Sequence, residues 1–125
     1  MHILLDTHIV IWALSEPDKL SAEAKTLIKE ADQLFVSSAS IWEMAIKSGL
    51  GKLDVDLDLM TAELQKLGVI ELAISWQHSK LVKNLPHHHR DPFDRLILSQ
   101  AMSEPLILLT HDKILTEYTD LVRLV

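Results

Sequence analysis

The chain has no cysteine, which excludes a disulfide-stapled scaffold and any thiolate metal or redox centre. Glycine and proline are scarce, at 3 and 4 among 125 residues, so neither a low-complexity tract nor a flexible linker is built into it. No apolar stretch approaches the roughly 18 uninterrupted residues of a membrane span. The opening Met1-His2-Ile3-Leu4-Leu5-Asp6 meets an acid early and lacks the basic region of a secretory signal. Together these absences lead us to expect a soluble cytoplasmic protein with no membrane partner.

Positive charge is also in deficit, with 12 Lys and Arg against 18 Asp and Glu and a net charge of −6. That balance weighs against a nucleic-acid binder. It weighs less if part of the acidity is a cation site, because two divalent ions would cancel four carboxylates and leave local basic clusters free to steer a phosphate backbone.

Hydrophobic residues make up 48% of the chain, enough for one domain over residues 1–125 with its own core. Apolar runs alternate with helical patterns, the signature of βαβ units and a mainly parallel sheet. The pattern predicts strands near 2–5, 34–37, 69–74, 106–110 and 122–125, and helices near 8–15, 22–31, 40–48, 57–67, 76–84 and 93–103. Ser21 is a candidate N-cap, and Ser40 with Glu43 has capping-box spacing. Gly49, Gly51 and Gly68 mark helix ends, while Pro86, Pro92 and Pro105 mark connections.

Four acids fall where such a sheet would bring them together, since open α/β sheets gather ligands at the carboxyl ends of their strands. Asp6 ends the first apolar run, and Asp112 follows Leu106-Ile107-Leu108-Leu109-Thr110. Glu43 lies on the helix after the second strand, and Asp94 opens a helix after Arg90-Asp91-Pro92. Converging carboxylates repel unless a cation neutralises them, so the set points to a hard divalent metal.

Each acid also has a local explanation. Asp6 could be a helix cap, Glu43 the second half of a capping box with Ser40, and Thr110-x-Asp112 a turn. Asp91 is the natural cap before Pro92, which leaves Asp94 less well explained and assigns Asp91, with Thr110, to support. Lys47, Lys52, Arg90 and Arg95 are candidate phosphate contacts, although Lys47 could instead pair with Glu43, and Arg95 with Asp91. His87-His88-His89 reads as a solvated loop with adventitious affinity for nickel. His8 and His111, beside the acids, read as partly buried. Trp12, Trp42 and Trp76 read as core or interface anchors.

Taken in order, four segments resemble the PIN-domain ribonucleases, specifically the VapC-type toxins of toxin–antitoxin pairs. They are Leu4-Leu5-Asp6-Thr7-His8, Ser37 to Lys47 continuing through Gly51-Lys52-Leu53, His89-Arg90-Asp91-Pro92-Phe93-Asp94-Arg95-Leu96-Ile97, and Leu109-Thr110-His111-Asp112. The match runs nearly end to end, and the middle two segments are its specific part. The resemblance implies a three-layer α/β/α sandwich around a parallel sheet of four to five strands. It implies an Mg²⁺ or Mn²⁺ site on Asp6, Glu43, Asp94 and Asp112, and cleavage of structured RNA such as a tRNA or an rRNA loop. It further implies a homodimer and a cognate antitoxin that obstructs the site. One position departs from the pattern: His111 stands before Asp112 where relatives often carry Asn or Arg.

Rival classes fit less well. A haloacid-dehalogenase-type phosphatase would need an acid at His8, and a response-regulator receiver would need an acidic pair near the end of the first strand. The remaining alternative is a catalytically silent PIN-like module that binds RNA or a partner, which predicts the loss of one or more of the four acids.

Overall fold

A computed structural model describes all residues, 1–125. Five strands form one sheet: β1 (His2–Leu5), β2 (Gln33–Ser37), β3 (Ile70–Leu72), β4 (Ile107–Thr110) and β5 (Val122–Leu124). Every pairing is parallel, in the order β3-β2-β1-β4-β5. The chain winds outward from β1 to β3, then returns to the other side of β1 for β4. That reversal opens a crevice at the carboxyl ends of β1 and β4, where α/β sheets take their ligands.

The helices are α1 (Thr7–Ser15), α2 (Ala22–Glu30), α3 (Ser38–Gly49), α4 (Leu57–Lys66), α5 (Trp76–Leu81) and α6 (Pro92–Ser103). Successive strand side chains point to opposite faces, and the core divides accordingly. Ile3, Leu5, Val36 and Leu109 pack with Ile9, Val10, Met44 and Met60 on one face. Leu4 and Leu108 pack with Ile97, Leu98 and Ala101 on the other. The result is the expected three-layer sandwich, with β1 and β4 buried on both sides as parallel central strands must be. No helix is long and apolar enough to cross a membrane.

Several boundaries differ from the sequence reading, each for a local reason. α3 starts at Ser38 because Ser37, the last residue of β2, caps it by accepting from the Ala39 N–H at 3.0 Å. The Ser40–Glu43 capping box therefore does not form. Ser40 is buried inside the helix and accepts from the Thr7 hydroxyl at 2.9 Å. β3 covers only 70–72, the helix expected over 76–84 tightens to a 3-10 turn after Leu81, and further 3-10 turns cover 17–19 and 113–117. Gly51 and Gly68 take φ of 73° and 78° just past α3 and α4, a conformation that stops a helix and suits glycine.

Trp42 and Trp76 are not core residues, with 57% and 89% of their surface exposed. Trp76 sits in the first turn of α5, where the Ser75–His78 capping box turns it outward.

Arg95 also departs from its expected role. Its guanidinium is buried and donates to the carbonyls of Val82, Leu85, Pro86 and His89 at 2.8–3.2 Å. Val82 also accepts from the Leu85 N–H and Pro86 from the Tyr118 hydroxyl, so Arg95 is a second donor there and ties in the Leu85 and His89 carbonyls as well. It is a structural plug, its guanidinium taken up by the loop. Arg95→Ala is expected to cost about 3 kcal/mol, because hydrogen bonds from a charged donor are strong and their loss strands buried acceptors. A lowered urea midpoint with an unchanged slope would register it, and an unshifted midpoint would refute it.

Candidate metal centre

Asp6 follows β1 directly and is buried, with its backbone N–H held by Leu109 of β4 at 3.0 Å. One carboxylate oxygen accepts from the Thr7 N–H at 2.6 Å and the other from the Thr110 hydroxyl at 2.5 Å. Thr110 thus fixes the rotamer of Asp6 across the crevice, and the same hydroxyl accepts from the Asp112 N–H at 3.0 Å. One side chain therefore sets the orientation of the first acid and the turn that carries the last.

Asp112 caps the 3-10 turn that follows β4, accepting from the Ile114 N–H at 3.0 Å through one oxygen. Asp91 caps α6 by accepting from the N–H groups of Phe93 and Asp94. With Asp91 occupied by the backbone, Asp94 is left in the first turn, facing the crevice. Asp6, Asp94 and Asp112 line one cavity of about 370 Å³ together with His8, Trp12, His111 and Lys113. His8 and His111 are exposed, which corrects their reading as partly buried.

Glu43 comes from α3 and is buried. Its Oε2 accepts from the Lys47 ammonium at 2.8 Å, the helical pair noted as an alternative to phosphate contact. Its Oε1 is buried with no hydrogen-bond partner. A buried carboxylate oxygen without a donor is costly, and the only other buried side-chain oxygen left without a partner is the neutral Gln100 Oε1.

His89 was missed as a site residue, because a run of three histidines in a polar loop gives no sign of which ring turns inward. His87 and His88 are exposed, but His89 is half-buried. Its Nδ1 accepts from the Asp91 N–H at 3.0 Å. That bond places the ring proton on Nε2, which lies 2.7 Å from Asp112 and 3.1 Å from Asp94. The Nε2–H is hydrogen-bonded to Asp112, and Asp94 lies close beside it. His89 Nε2 and one oxygen from each acid lie within 4.8 Å of one another. The usable signal was local: a histidine two residues before a helix cap can accept from the N–H of that cap.

The electrostatics follow from this crowding. Burial raises the Asp6 carboxyl above the ordinary value of 3.8, with Glu43 adding to it, and hydrogen bonds from Thr110 and Thr7 oppose the rise. Asp94 is pushed up to about 7, first by burial and then by Asp6 and Asp91, while His89 offsets part of the rise. Lys47 is held above its ordinary range by its bond to Glu43. Asp6, Glu43 and Asp94 thus interact electrostatically, although they come from separate elements. Arg90 is exposed and Arg95 is sequestered, so neither arginine neutralises them.

The donor set fits a hard divalent ion. All four acids offer oxygen, none offers sulfur, and the orphaned Glu43 Oε1 is an acceptor in need of a cation. His89 is excluded as an Nε2 ligand in this tautomer, since that nitrogen carries the proton. It supports the set by hydrogen-bonding Asp112 and standing 3.1 Å from Asp94, as groups around metal ligands commonly do.

Residues 3–121 match the PIN domain family. Ribonuclease VapC22 from Mycobacterium tuberculosis is 31% identical over 114 residues, covering 89% of this chain and 87% of the relative. Among solved structures, VapBC2 from Rickettsia felis, bound to a DNA fragment from its promoter, superposes with a TM-score of 0.69 at 19% identity. It covers 100% of this chain and 98% of that one. A toxin–antitoxin complex from Klebsiella pneumoniae gives a TM-score of 0.70 at 20% identity, covering 97% and 95%.

Proposed function

The chain belongs to the PIN-domain family, and from that premise we propose that it is a metal-dependent endoribonuclease, the toxin of a toxin–antitoxin pair. In this reading it acts as a single domain in the cytoplasm and hydrolyses phosphodiester bonds in structured RNA, a tRNA or an rRNA loop. The observation that carries the proposal is the convergence of Asp6, Asp94 and Asp112 on one cavity beside a buried glutamate with an unpartnered oxygen. A protein that only bound RNA would have no use for that costly arrangement.

Asp6, Glu43, Asp94 and Asp112 would hold Mg²⁺ or Mn²⁺. When bound, such an ion supplies a hydroxide-forming water at neutral pH and stabilises charge on the phosphate. The protein contributes orientation: Thr110 aims Asp6, His89 spans Asp94 and Asp112, and Lys47 occupies only one oxygen of Glu43. Hydrolysis then needs no side-chain nucleophile. Ser37 and Ser40 are buried, and the Ser37 hydroxyl accepts from the Ala39 N–H.

A partner surface accompanies the site. An apolar groove of about 570 Å³ runs between α3, α4 and the edge of the sheet, lined by Ile41, Trp42, Leu64 and Ile70. Trp42 packs edge-on against Phe93 at 5.0 Å, one residue from Asp94. We assign this groove to the cognate antitoxin, whose seat there would lie beside the acids. A homodimer would account for further exposed apolar residues such as Leu50 and Leu59.

Incubating the protein with total cellular RNA tests the proposal. Discrete fragments in Mg²⁺ or Mn²⁺ that vanish with EDTA and with Asp6→Asn are the expected result. Absence of cleavage by folded, antitoxin-free, metal-loaded protein would favour the silent module.

A further inference from the structure

The acidic cavity does not end at the acids. A second cavity of about 260 Å³ adjoins it and shares His8 and Trp12 with it. Its walls come from α1, from the C-terminal half of α3 and from the segment after α3, and they carry Lys19, Lys47 and Lys52 against a single acid, Glu16. In a chain of net charge −6, three lysines on one small cleft stand against the prevailing sign. Two already have partners: Lys19 pairs with Glu16 at 3.0 Å and Lys47 with Glu43 at 2.8 Å. Lys52 is exposed and in no ion pair, so its ammonium is the one left to meet an anion. Lys47 also lies near the acids, because it lines the basic cavity while bonding Glu43, whose charge acts on Asp6 and Asp94.

Trp12 stands at the junction. It is half-buried on α1, with the His8 ring tilted at 6.0 Å and the His111 ring edge-on at 5.3 Å. A fixed aromatic surface beside a lysine-lined cleft is the combination that follows a single nucleic-acid strand, cations taking phosphates and the ring taking a base. A cleft of about 260 Å³ is on the scale of one nucleotide, and bases are read mainly where a strand is unpaired.

From this geometry we infer that the Lys19–Lys47–Lys52 cleft holds the nucleotide next to the scissile phosphate on a single-stranded segment of the RNA. Lys52 is the main phosphate contact and Trp12 the stacking surface. The inference rests on the ribonuclease reading and adds to it the strand path and the unpaired state of the target. The path enters over Lys52, turns at Trp12 and reaches the acids, with Lys113 on the far wall of their cavity.

The test measures binding of a fluorescein-labelled single-stranded oligouridylate to the full chain carrying Asp6→Asn, in Mg²⁺, across a salt series. Adding Lys52→Ala should weaken binding about five- to tenfold and flatten the slope of log affinity against log salt by about 0.7. Lys52→Arg should restore both, and Lys66→Ala on α4 should change neither. Trp12→Ala should weaken binding about tenfold with the slope unchanged. Because Trp12 packs on the core, a thermal melt accompanies that variant, and the exposed Lys52 carries the test if it unfolds.

An unchanged affinity and slope for Lys52→Ala would overturn the inference. So would a duplex of the same length binding as well and with the same dependence on Lys52. If the wild type cuts RNA while Lys52 is silent, the strand path is wrong and the ribonuclease reading stands. If the wild type neither cuts nor binds RNA, both fall together.

Discussion

Asp94→Asn is expected to lower RNA cleavage by more than about 100-fold, past the 10- to 100-fold typical of groups one step behind a metal's ligands. The same change should make the metal-free protein more stable at pH 7.5. The two effects share one cause. Asp94 is pushed up to about 7 by burial and by the carboxylates of Asp6 and Asp91, so its charged form is disfavoured in the fold. Moving a carboxyl from 3.8 to about 7 corresponds to roughly 4 kcal/mol. Partial exposure of the side chain reduces what the fold feels to on the order of 2 kcal/mol. Its place in the first turn of α6 works the other way, but a helix N-terminus contributes only about 0.3–1 kcal/mol. Asparagine keeps the shape and an oxygen for His89 while removing the charge. Chemical denaturation in EDTA, paired with a cleavage assay, reads both effects. A variant that is inactive and less stable would mean that Asp94 holds the fold together and is not a strained ligand.

The second large effect concerns pH and metal together. In the metal-free protein the native state keeps a proton on Asp94 that the unfolded chain gives up near its ordinary value of 3.8. Between about pH 4 and 7 the native state therefore binds more protons, and stability falls as pH rises through that window and levels off above it. Asp6, also raised, adds in the same direction. A divalent ion needs these groups ionised, so its stabilisation should run opposite to the proton's. At a metal concentration of about 100 times Kd, binding contributes about 2.7 kcal/mol, or roughly 10 °C in Tm for a domain of this size. We expect that shift with Mg²⁺ or Mn²⁺ at pH 7.5, a much smaller one at pH 5.5, and none in Asp94→Asn. Differential scanning fluorimetry across pH reads it. A shift independent of pH would place the ion elsewhere on the protein.

Much of the sheet was legible because its central strands are short apolar runs bounded by acids or turn residues. Leu4-Leu5 before Asp6 and Leu108-Leu109 before Thr110 must be buried on both faces, and nothing but a parallel central strand accommodates them. Asp6, Asp94 and Asp112 were legible for the same reason, since each follows such a run or opens a helix beside one, while Glu43 lies a turn into α3.

What could not be read depended on which of two equivalent partners the fold would choose. Ser37 and Ser40 are both competent caps. The fold uses Ser37 because β2 is still paired with Leu72 at that residue, and the helix starts at once. This frees Glu43 from any capping role and leaves its second oxygen bare. Arg95 and Arg90 look alike in sequence, yet only Arg95 lies where several loop carbonyls converge. His89 differs from His87 and His88 through contacts fixed by how the loop enters α6, its Nδ1 accepting from the Asp91 N–H and its own N–H donating to the Tyr118 hydroxyl. Trp42 and Trp76 resemble core residues by type, but helix phase puts them outside.

The most direct test of the central claim, that four acids from separate elements form one divalent-cation site, is an anomalous difference map from crystals grown with Mn²⁺. The account predicts a peak in the crevice at the carboxyl ends of β1 and β4, within coordination distance of Asp6 and Asp94 and close to Glu43 and Asp112. A map with no peak there, or with its only peak on the exposed His87 and His88, would contradict it.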